Sequence, residues 1–240
     1  LAVIFFHKLL PKAEFVALRD SDSLEYLKSK GIYNKDMDFR PDSTFFFPGE
    51  DPEWVEEFLS KHGLKEKQFI TLTIRTSIQG YITKQREADH MACLRLFLDK
   101  WVSQIDLPVL LCPEVRSEIQ PMYDLIYSKL SSELQSKCIW MDHFWTTEQA
   151  KAVYQKARIV ISMEMHSVIL ALSVGTPILH PRFMEAGRKA WMLRDMDLED
   201  WLFDIDHMAP EELFVAATNI HRQYEASLNR VRKQMTRLKQ

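Results

Sequence analysis

Between Ser162 and Ser167 the sequence reads Ser-Met-Glu-Met-His-Ser, which gathers two hydroxyls, a carboxylate and an imidazole within six residues. His166 suits proton transfer, because an imidazole titrates near neutrality and can serve as acid or base. Glu164, two residues away, is a second titratable group, and Ser162 and Ser167 can hold a ligand oxygen. Arg75 suits an anion clamp, since a guanidinium grips a carboxylate or phosphate with two parallel hydrogen bonds. Any α/β protein needs a polar loop between a strand and a helix, so these types alone leave a well-capped turn open beside an active site.

The elements around this cluster must present it at an edge. Ile159, Val160 and Ile161 form a short β-branched run suited to a strand buried on both faces. From His166 to Val174 apolar residues recur at helical spacing, Gly175 can take the left-handed stop, and Pro177 to Leu179 begin another strand. In such a strand–loop–helix–strand unit, ligands bind outside the carboxyl ends of the strands, where helix N-termini offer free N–H groups to anions. His166 and Ser167 sit at that corner.

The same alternation extends along most of the chain. Leu1 to Phe6, Glu14 to Leu18 and Asp36 to Phe39 read as strands, with a helix from Leu24 to Lys30 that Gly31 closes. Arg19 and Asp20 read as structural, holding the turn before that helix. The aromatic run Phe45-Phe46-Phe47 reads as core or domain-interface packing. Asp51 and Pro52 open a helix that Gly63 ends. Strands follow at Phe69 to Ile74, Pro108 to Cys112 and Cys138 to Met141, with helices at Arg86 to Ile105, Ser117 to Ser136 and Thr147 to Ala157. Thr146 and Gln149 have capping-box spacing before the last of these. A further helix is expected around Ala186 to Arg194, a mixed stretch from Leu198 to Ile205, and one long amphipathic helix from Pro210 through Met235. The pattern is a doubly wound parallel sheet. Residues 1–50 are expected to form the C-terminal part of one Rossmann-like domain and residues 51–240 a second.

Composition excludes several classes. The 240 residues are 46% hydrophobic and 27% charged with a net charge of -3, as in an ordinary globular protein without nucleic-acid affinity. No apolar run is long enough for a membrane span. Six glycines argue against several Gly-rich phosphate loops, and three widely spaced cysteines suggest neither a zinc site nor a disulfide framework. No metal constellation is visible, so metal-independent chemistry without a cofactor is expected. The opening residues read as the interior of a strand, so an N-terminal portion, with any targeting signal, is expected to be missing.

Several stretches together resemble the polysaccharide pyruvyltransferase family. They are Leu18-Arg-Asp-Ser-Asp-Ser23, Pro41-Asp42 with Phe45, Thr73-Ile-Arg75, Ile161-Ser-Met-Glu-Met-His-Ser167 with Ala171 and Gly175-Thr-Pro177, and Asp200-Trp201 with Asp204-Ile-Asp206. The resemblance implies two Rossmann-like domains of glycosyltransferase-B-like architecture, the first one truncated and lacking the family's opening strand and Gly-Asp element. It also implies transfer of the enolpyruvyl group of phosphoenolpyruvate onto two hydroxyls of a sugar or lipid-linked oligosaccharide. The product is a pyruvate ketal, made for surface polysaccharide or cell wall in the cytoplasm, with peripheral membrane association through the acceptor. Most of the family has an arginine two residues before the histidine, where this chain has Glu164. Either Arg182, Arg188 or Lys189 holds the donor and Glu164 partners His166 or the acceptor, or the donor differs. His166 and Glu164 are thus the candidate catalytic residues, and Arg75, Ser162, Ser167, Arg182, Arg188 and Lys189 the candidate substrate-binding residues. The alternatives are a nucleotide-sugar glycosyltransferase of the same fold and a non-catalytic carbohydrate-binding relative. No acid on the helix before Gly175-Thr-Pro177 argues against the first of these. His143 reads as a surface-loop residue, and His180, after a strand end, as a lesser candidate.

Overall fold

The structure is a computed structural model in which residues 2–238 are described. In chain order, helix α1 (Ala2–Leu9) leads to strand β1 (Val16–Leu18), α2 (Ser21–Ser29) and β2 (Met37–Phe39). Then come α3 (Pro52–His62), β3 (Ile70–Thr73), α4 (Lys84–Ile105), β4 (Val109–Leu111), α5 (Ile119–Leu125), α6 (Ser132–Gln135), β5 (Cys138–Trp140) and α7 (Thr147–Lys156). The chain continues with β6 (Ile159–Ser162), α8 (Met165–Ser173), β7 (Ile178–Arg182), α9 (Met192–Asp195), β8 (Leu202–Asp204), α10 (Pro210–Arg222) and α11 (Tyr224–Leu238).

Strands β3 to β8 form one parallel sheet in the order β5-β4-β3-β6-β7-β8, and β1 pairs with β2 in a separate two-stranded parallel sheet. The large sheet is doubly wound. The chain moves outward from β3 through β4 to β5, returns to the other side of β3 at β6, and moves outward again to β8. Strand direction of travel therefore reverses between β3 and β6, whose register pairs Ile70 with Ile159 and Thr73 with Ser162. A crevice opens at the carboxyl ends of such a pair, because the connections on either side lead to opposite faces of the sheet. Ile70, Leu72, Ile159, Val160, Ile161, Ile178 and Leu179 are buried, as strands covered on both faces must be. The three cysteines are free and buried. No helix among the described residues is long and apolar enough to cross a membrane.

Local signals placed many boundaries. Asp20 caps α2 by accepting the Ser23 N–H, Asp51 caps α3 with Pro52 at its first position, and Gly63 ends α3 at a φ of 64°. Thr146 and Gln149 form the expected capping box. Four expectations need correction. The apolar run at the start is helix α1 rather than a strand (Leu1 itself lies outside the described residues); an unpunctuated apolar run has no period to distinguish the two, and His7 and Lys8 suit a helix's last turn. The helix expected over Ser117 to Ser136 is broken after Leu125. Ser131 caps α6, and the Gln135 side-chain amide donates to the Tyr127 and Leu130 carbonyls in the break. The helix expected around Ala186 to Arg194 is reduced to 3-10 turns and α9, because Gly187 takes a φ of 90°. The long C-terminal helix is two helices parted at Gln223, where Arg158 donates to the His221 carbonyl at 2.7 Å and lies 4.2 Å from the centre of the Tyr224 ring.

Candidate functional site

The carboxyl ends of four neighbouring strands deliver the chemistry-bearing side chains. Arg75 follows β3, Glu114 follows β4, Glu164 and His166 follow β6, and residues 184–189 follow β7. Glu164 is the N-cap residue of α8, so its backbone turns the chain from sheet edge into helix, although its side chain makes no capping bond. Ser162 builds that turn: its hydroxyl accepts the Glu164 N–H at 3.0 Å and donates to the Glu164 carbonyl at 2.9 Å. His180 supports it from β7, its Nδ1 2.6 Å from the Ser162 carbonyl oxygen. Burial pushes the His180 imidazole down to about 4, so Nδ1 carries the single proton and donates.

Glu114 organises the start of α8. Its carboxylate accepts the Ser167 N–H and the Ser167 hydroxyl, each at 2.6 Å, and lies 3.3 Å from His166 Nδ1. Tyr154 donates its hydroxyl to Ser167 Oγ at 2.9 Å. Burial alone would raise the Glu114 carboxyl, but the bonds to His166 and Ser167 outweigh it and the pKa is lowered. In return the bond to Glu114 raises the His166 pKa above its usual value, against partial burial. The His166 side chain remains 49% exposed. It is therefore an accessible imidazole with one nitrogen held by a carboxylate and the other free, the arrangement that fixes a tautomer and stabilises the imidazolium.

Glu164 faces the other way. Its Oε1 lies 3.4 Å from Arg75 Nε, and the carboxyl is only 4% exposed. At that separation the attraction is roughly 5 kcal/mol for an effective dielectric of about 20, while desolvating a carboxylate costs several kcal/mol. Desolvation wins. Burial first, and the negative Glu114 second, push the Glu164 carboxyl from 4.5 up to about 7 despite Arg75 and Lys189. The shift is worth about 3 kcal/mol in favour of the neutral form.

Two cavities flank this arrangement. One of about 520 Å³ is lined by Arg75, Arg188 and Lys189, with Arg19 and Asp20 from the β1–α2 turn opposite. The Arg75 guanidinium lies 4.9 Å from the Tyr81 ring centre and 5.6 Å from that of Phe183. The loop that carries Arg188 and Lys189 is tethered by Arg86 of α4, which bonds both Glu185 and Asp206; His90 also meets Asp206, at 2.7 Å. The second cavity, of about 960 Å³, is lined by His166, Ser167 and Glu114 together with the aromatic side chains of Phe46, Phe47, Phe144, Trp145 and Tyr154.

The sequence expectations sort accordingly. Arg75, Arg188 and Lys189 share one cavity, and His166 and Ser167 share the other. Glu164 pairs with Arg75, not with His166. Ser162 is fully buried and its hydroxyl is spent on the turn. Arg182 is buried and donates to the Gly187 carbonyl and the Met184 sulfur, so it holds the β7 loop instead of facing either cavity. The Ser167 N–H, expected to be free for an anion, is given to Glu114. Phe45 is core as expected, but Phe46 is 50% exposed on the larger cavity, which corrects its reading as packing. His143 is exposed and bonds Asp142. Glu114 was missed; its one sequence signal was an acid just beyond a strand's carboxyl end. Among the described residues, no group of three or more His, Cys, Asp and Glu side chains is disposed to hold a metal ion.

Comparison with known proteins adds three findings. A family model described as polysaccharide pyruvyl transferase matches residues 3–180. No curated protein matches the chain in sequence. Among solved structures, the MnaA–UDP complex of S. aureus superposes with a TM-score of 0.61 at 13% identity, covering 93% of this chain and 55% of that one. A putative UDP-N-acetylglucosamine 2-epimerase from Listeria monocytogenes gives 0.61 at 12%, covering 91% and 54%. A UDP-glucose:anthocyanidin 3-O-glucosyltransferase in complex with UDP gives 0.59 at 12%, covering 97% and 50%. The chain spans about half the length of these structures, and the likeness is one of fold: Rossmann-like and glycosyltransferase-B-like.

Proposed function

The chain belongs to the polysaccharide pyruvyl transferase family, and from that membership we propose that it transfers the enolpyruvyl group of phosphoenolpyruvate to two hydroxyls of a sugar. A pyruvate ketal forms and phosphate leaves. The observation that carries this reading is the convergence of Arg75, Arg188 and Lys189 on one cavity beside a buried carboxyl that is half protonated near neutrality. Phosphoenolpyruvate bears a carboxylate and a phosphate, and three cations are suited to both.

In this reading His166 moves the protons. As imidazolium it protonates the enol carbon, which becomes the methyl group, while the first hydroxyl adds to the adjacent carbon. The neutral imidazole then takes that hydroxyl's proton. The second hydroxyl forms the second C–O bond as the C–O bond to phosphate breaks, and its proton leaves with phosphate. A group that must be acid and then base works best with a pKa near the operating pH, which the bond to Glu114 favours. Glu164 acts through Arg75: while it holds a proton, it adds no negative charge beside that guanidinium. The cations meet the donor's charge, so the reading requires neither metal nor cofactor. Residues 1–50 would contribute the end of a first Rossmann-like domain and 51–240 the second. The setting is surface-polysaccharide assembly in the cytoplasm, on a sugar or lipid-linked acceptor.

A nucleotide-sugar glycosyltransferase is less well supported. It would bring a diphosphate to the N-terminus of α8, where the Glu114 carboxylate already takes the Ser167 donors and would repel it. The test is calorimetric titration of phosphoenolpyruvate, followed by phosphate release with sugar acceptors. Binding that Arg75→Ala and Lys189→Ala each weaken, with phosphate release that His166→Ala abolishes, is expected. Sugar binding without phosphate release would identify a non-catalytic relative, and UDP binding in place of phosphoenolpyruvate would favour the glycosyltransferase.

A further inference from the structure

We infer that the larger cavity is the acceptor site and takes an electrically neutral sugar ring, seated by its C–H face on Phe46 and Phe144. The inference rests on the transferase reading above and adds which cavity receives which substrate. The first argument is charge. Arg19, Arg75, Arg188 and Lys189 outnumber Asp20 and Glu185 on the smaller cavity, while the larger one carries Glu114 and Glu148 with no lysine or arginine among the described residues that line it. Glu114 is matched there by His166, Glu148 adds a negative charge, and the neighbouring guanidinium, Arg116, is stacked on Phe144 at 5.4 Å from its ring centre, so this cavity has no clamp for an anion and suits a neutral occupant.

The second argument is shape and chemistry of the walls. Phe46 is 50% exposed and Phe144 37%, and both line the cavity together with His166 and the hydroxyl residues Ser43, Thr44 and Thr147. Flat apolar faces with a few hydroxyl partners suit a pyranose, whose ring C–H groups form an apolar face and whose hydroxyls point outward. An acceptor in this cavity shares it with His166, whose Nδ1 is held by Glu114 and whose other ring nitrogen is left for a hydroxyl.

The third argument is that the wall is built rather than incidental. Lys151 is buried and donates to the Phe47 carbonyl at 2.7 Å, which anchors residues 45–48 on α7. A Cβ at Gly49 would stand 2.6 Å from both Glu148 Cγ and the Phe47 ring, so a side chain at that position would displace one or both of them. Trp145 donates its indole N–H to the Pro113 carbonyl at 3.0 Å beneath the cavity, which gives an isolated reporter there.

The experiment follows the Trp145 indole resonance, assigned with Trp145→Phe, by NMR. The probes are the methyl glycosides of galactose, glucose and mannose, each also as its 6-phosphate, with phosphoenolpyruvate titrated separately. At least one neutral glycoside is expected to shift the Trp145 signal and to lose about tenfold in affinity in Phe46→Ala, with Phe46→Trp restoring it. Phosphoenolpyruvate affinity is expected to be unchanged in both variants. A preference for the phosphorylated sugars, or no shift with any neutral glycoside, overturns the assignment. Failure of phosphoenolpyruvate to bind the wild type is a separate result: it removes the donor reading, while the Trp145 signal still decides what the larger cavity accepts.

Discussion

Replacing Glu114 with glutamine tests the arrangement around His166 most directly. The substitution keeps the shape and one acceptor oxygen but removes a carboxylate that receives two donors from Ser167 and holds His166 Nδ1. Hydrogen bonds to charged groups contribute about 1.5–3 kcal/mol and neutral ones about 0.5–1.5. The fold should therefore lose about 1–2 kcal/mol, a fall of roughly 2–8 °C in Tm for a chain of this size. The chemical effect is larger. If the remaining oxygen stays with Ser167, the amide N–H of glutamine meets Nδ1, which must then be the unprotonated nitrogen, and an imidazolium there would oppose donor to donor. Loss of proton transfer by a positioned imidazole should lower kcat by about 10²–10⁴. Two pKa values also move together. His166 loses the bond that raised it, and Glu164 loses a negative neighbour that raised it, so both fall. Both groups work in their protonated forms, so the alkaline limb of the pH–rate profile should shift toward acid. Phosphate release in the variant and the NMR titration of His166 are the assays. A kcat within threefold of wild type, with an unmoved His166 titration, would falsify the assignment of Glu114 as the positioning residue.

Four other outcomes follow from the same geometry. With Glu164 near 7 and donor binding favoured by its neutral form, phosphoenolpyruvate affinity should fall about tenfold from pH 6 to pH 8 beyond the donor's own titration, whereas Glu164→Gln should remove that fall; calorimetry across the range decides it. Because the folded-state value of Glu164 lies above the unfolded one, stability is greatest below about 4.5 and is lost as pH rises to about 7, so Glu164→Gln should be stabilising in urea at pH 8, by up to about 3 kcal/mol. His180 has the opposite sign: its folded value of about 4 lies below the usual 6.5, so stability is lost as pH falls through that window, by up to about 3 kcal/mol, which urea melts at pH 7 and pH 4 would separate from the Glu164 effect in the Glu164→Gln background. Gly49→Ala should displace the aromatic wall and raise the acceptor KM with little change in the KM for phosphoenolpyruvate; equal effects on both would argue against two separate cavities.

Much of the frame was legible because its signals are local. The β-branched run at Ile159, the Thr146–Gln149 pair and the Asp51-Pro52 start each act within one turn of helix or one strand. Where the reading failed, a longer-range partner decided. The break at Gln223 depends on Arg158, 63 residues from the His221 carbonyl it takes. Glu114 lies 52 residues before His166, on a different strand's loop, and nothing near it in sequence marks it as the group that orients the imidazole. The division of Arg75 from His166 into separate cavities is likewise set by which strand each follows, and periodicity carries no strand order.

The acidic residue at position 164 is the chain's departure from the family pattern it otherwise resembles, and the geometry changes what that departure means. An exposed glutamate would repel an anionic donor at every pH above its ordinary range. A buried one in loose contact with Arg75 does not, because desolvation holds it near pH 7 as an equal mixture of acid and carboxylate. An arginine in the same position, buried beside a second guanidinium, would place like charges together where burial weakens their screening. Positive charge in the smaller cavity instead comes from Arg188 and Lys189, held by the β7 loop that Arg86 and Arg182 secure. Under the proposed donor reading, Glu164 thus trades a fixed cation for a proton that can leave, and donor affinity should become a function of pH through a residue that need not touch the donor.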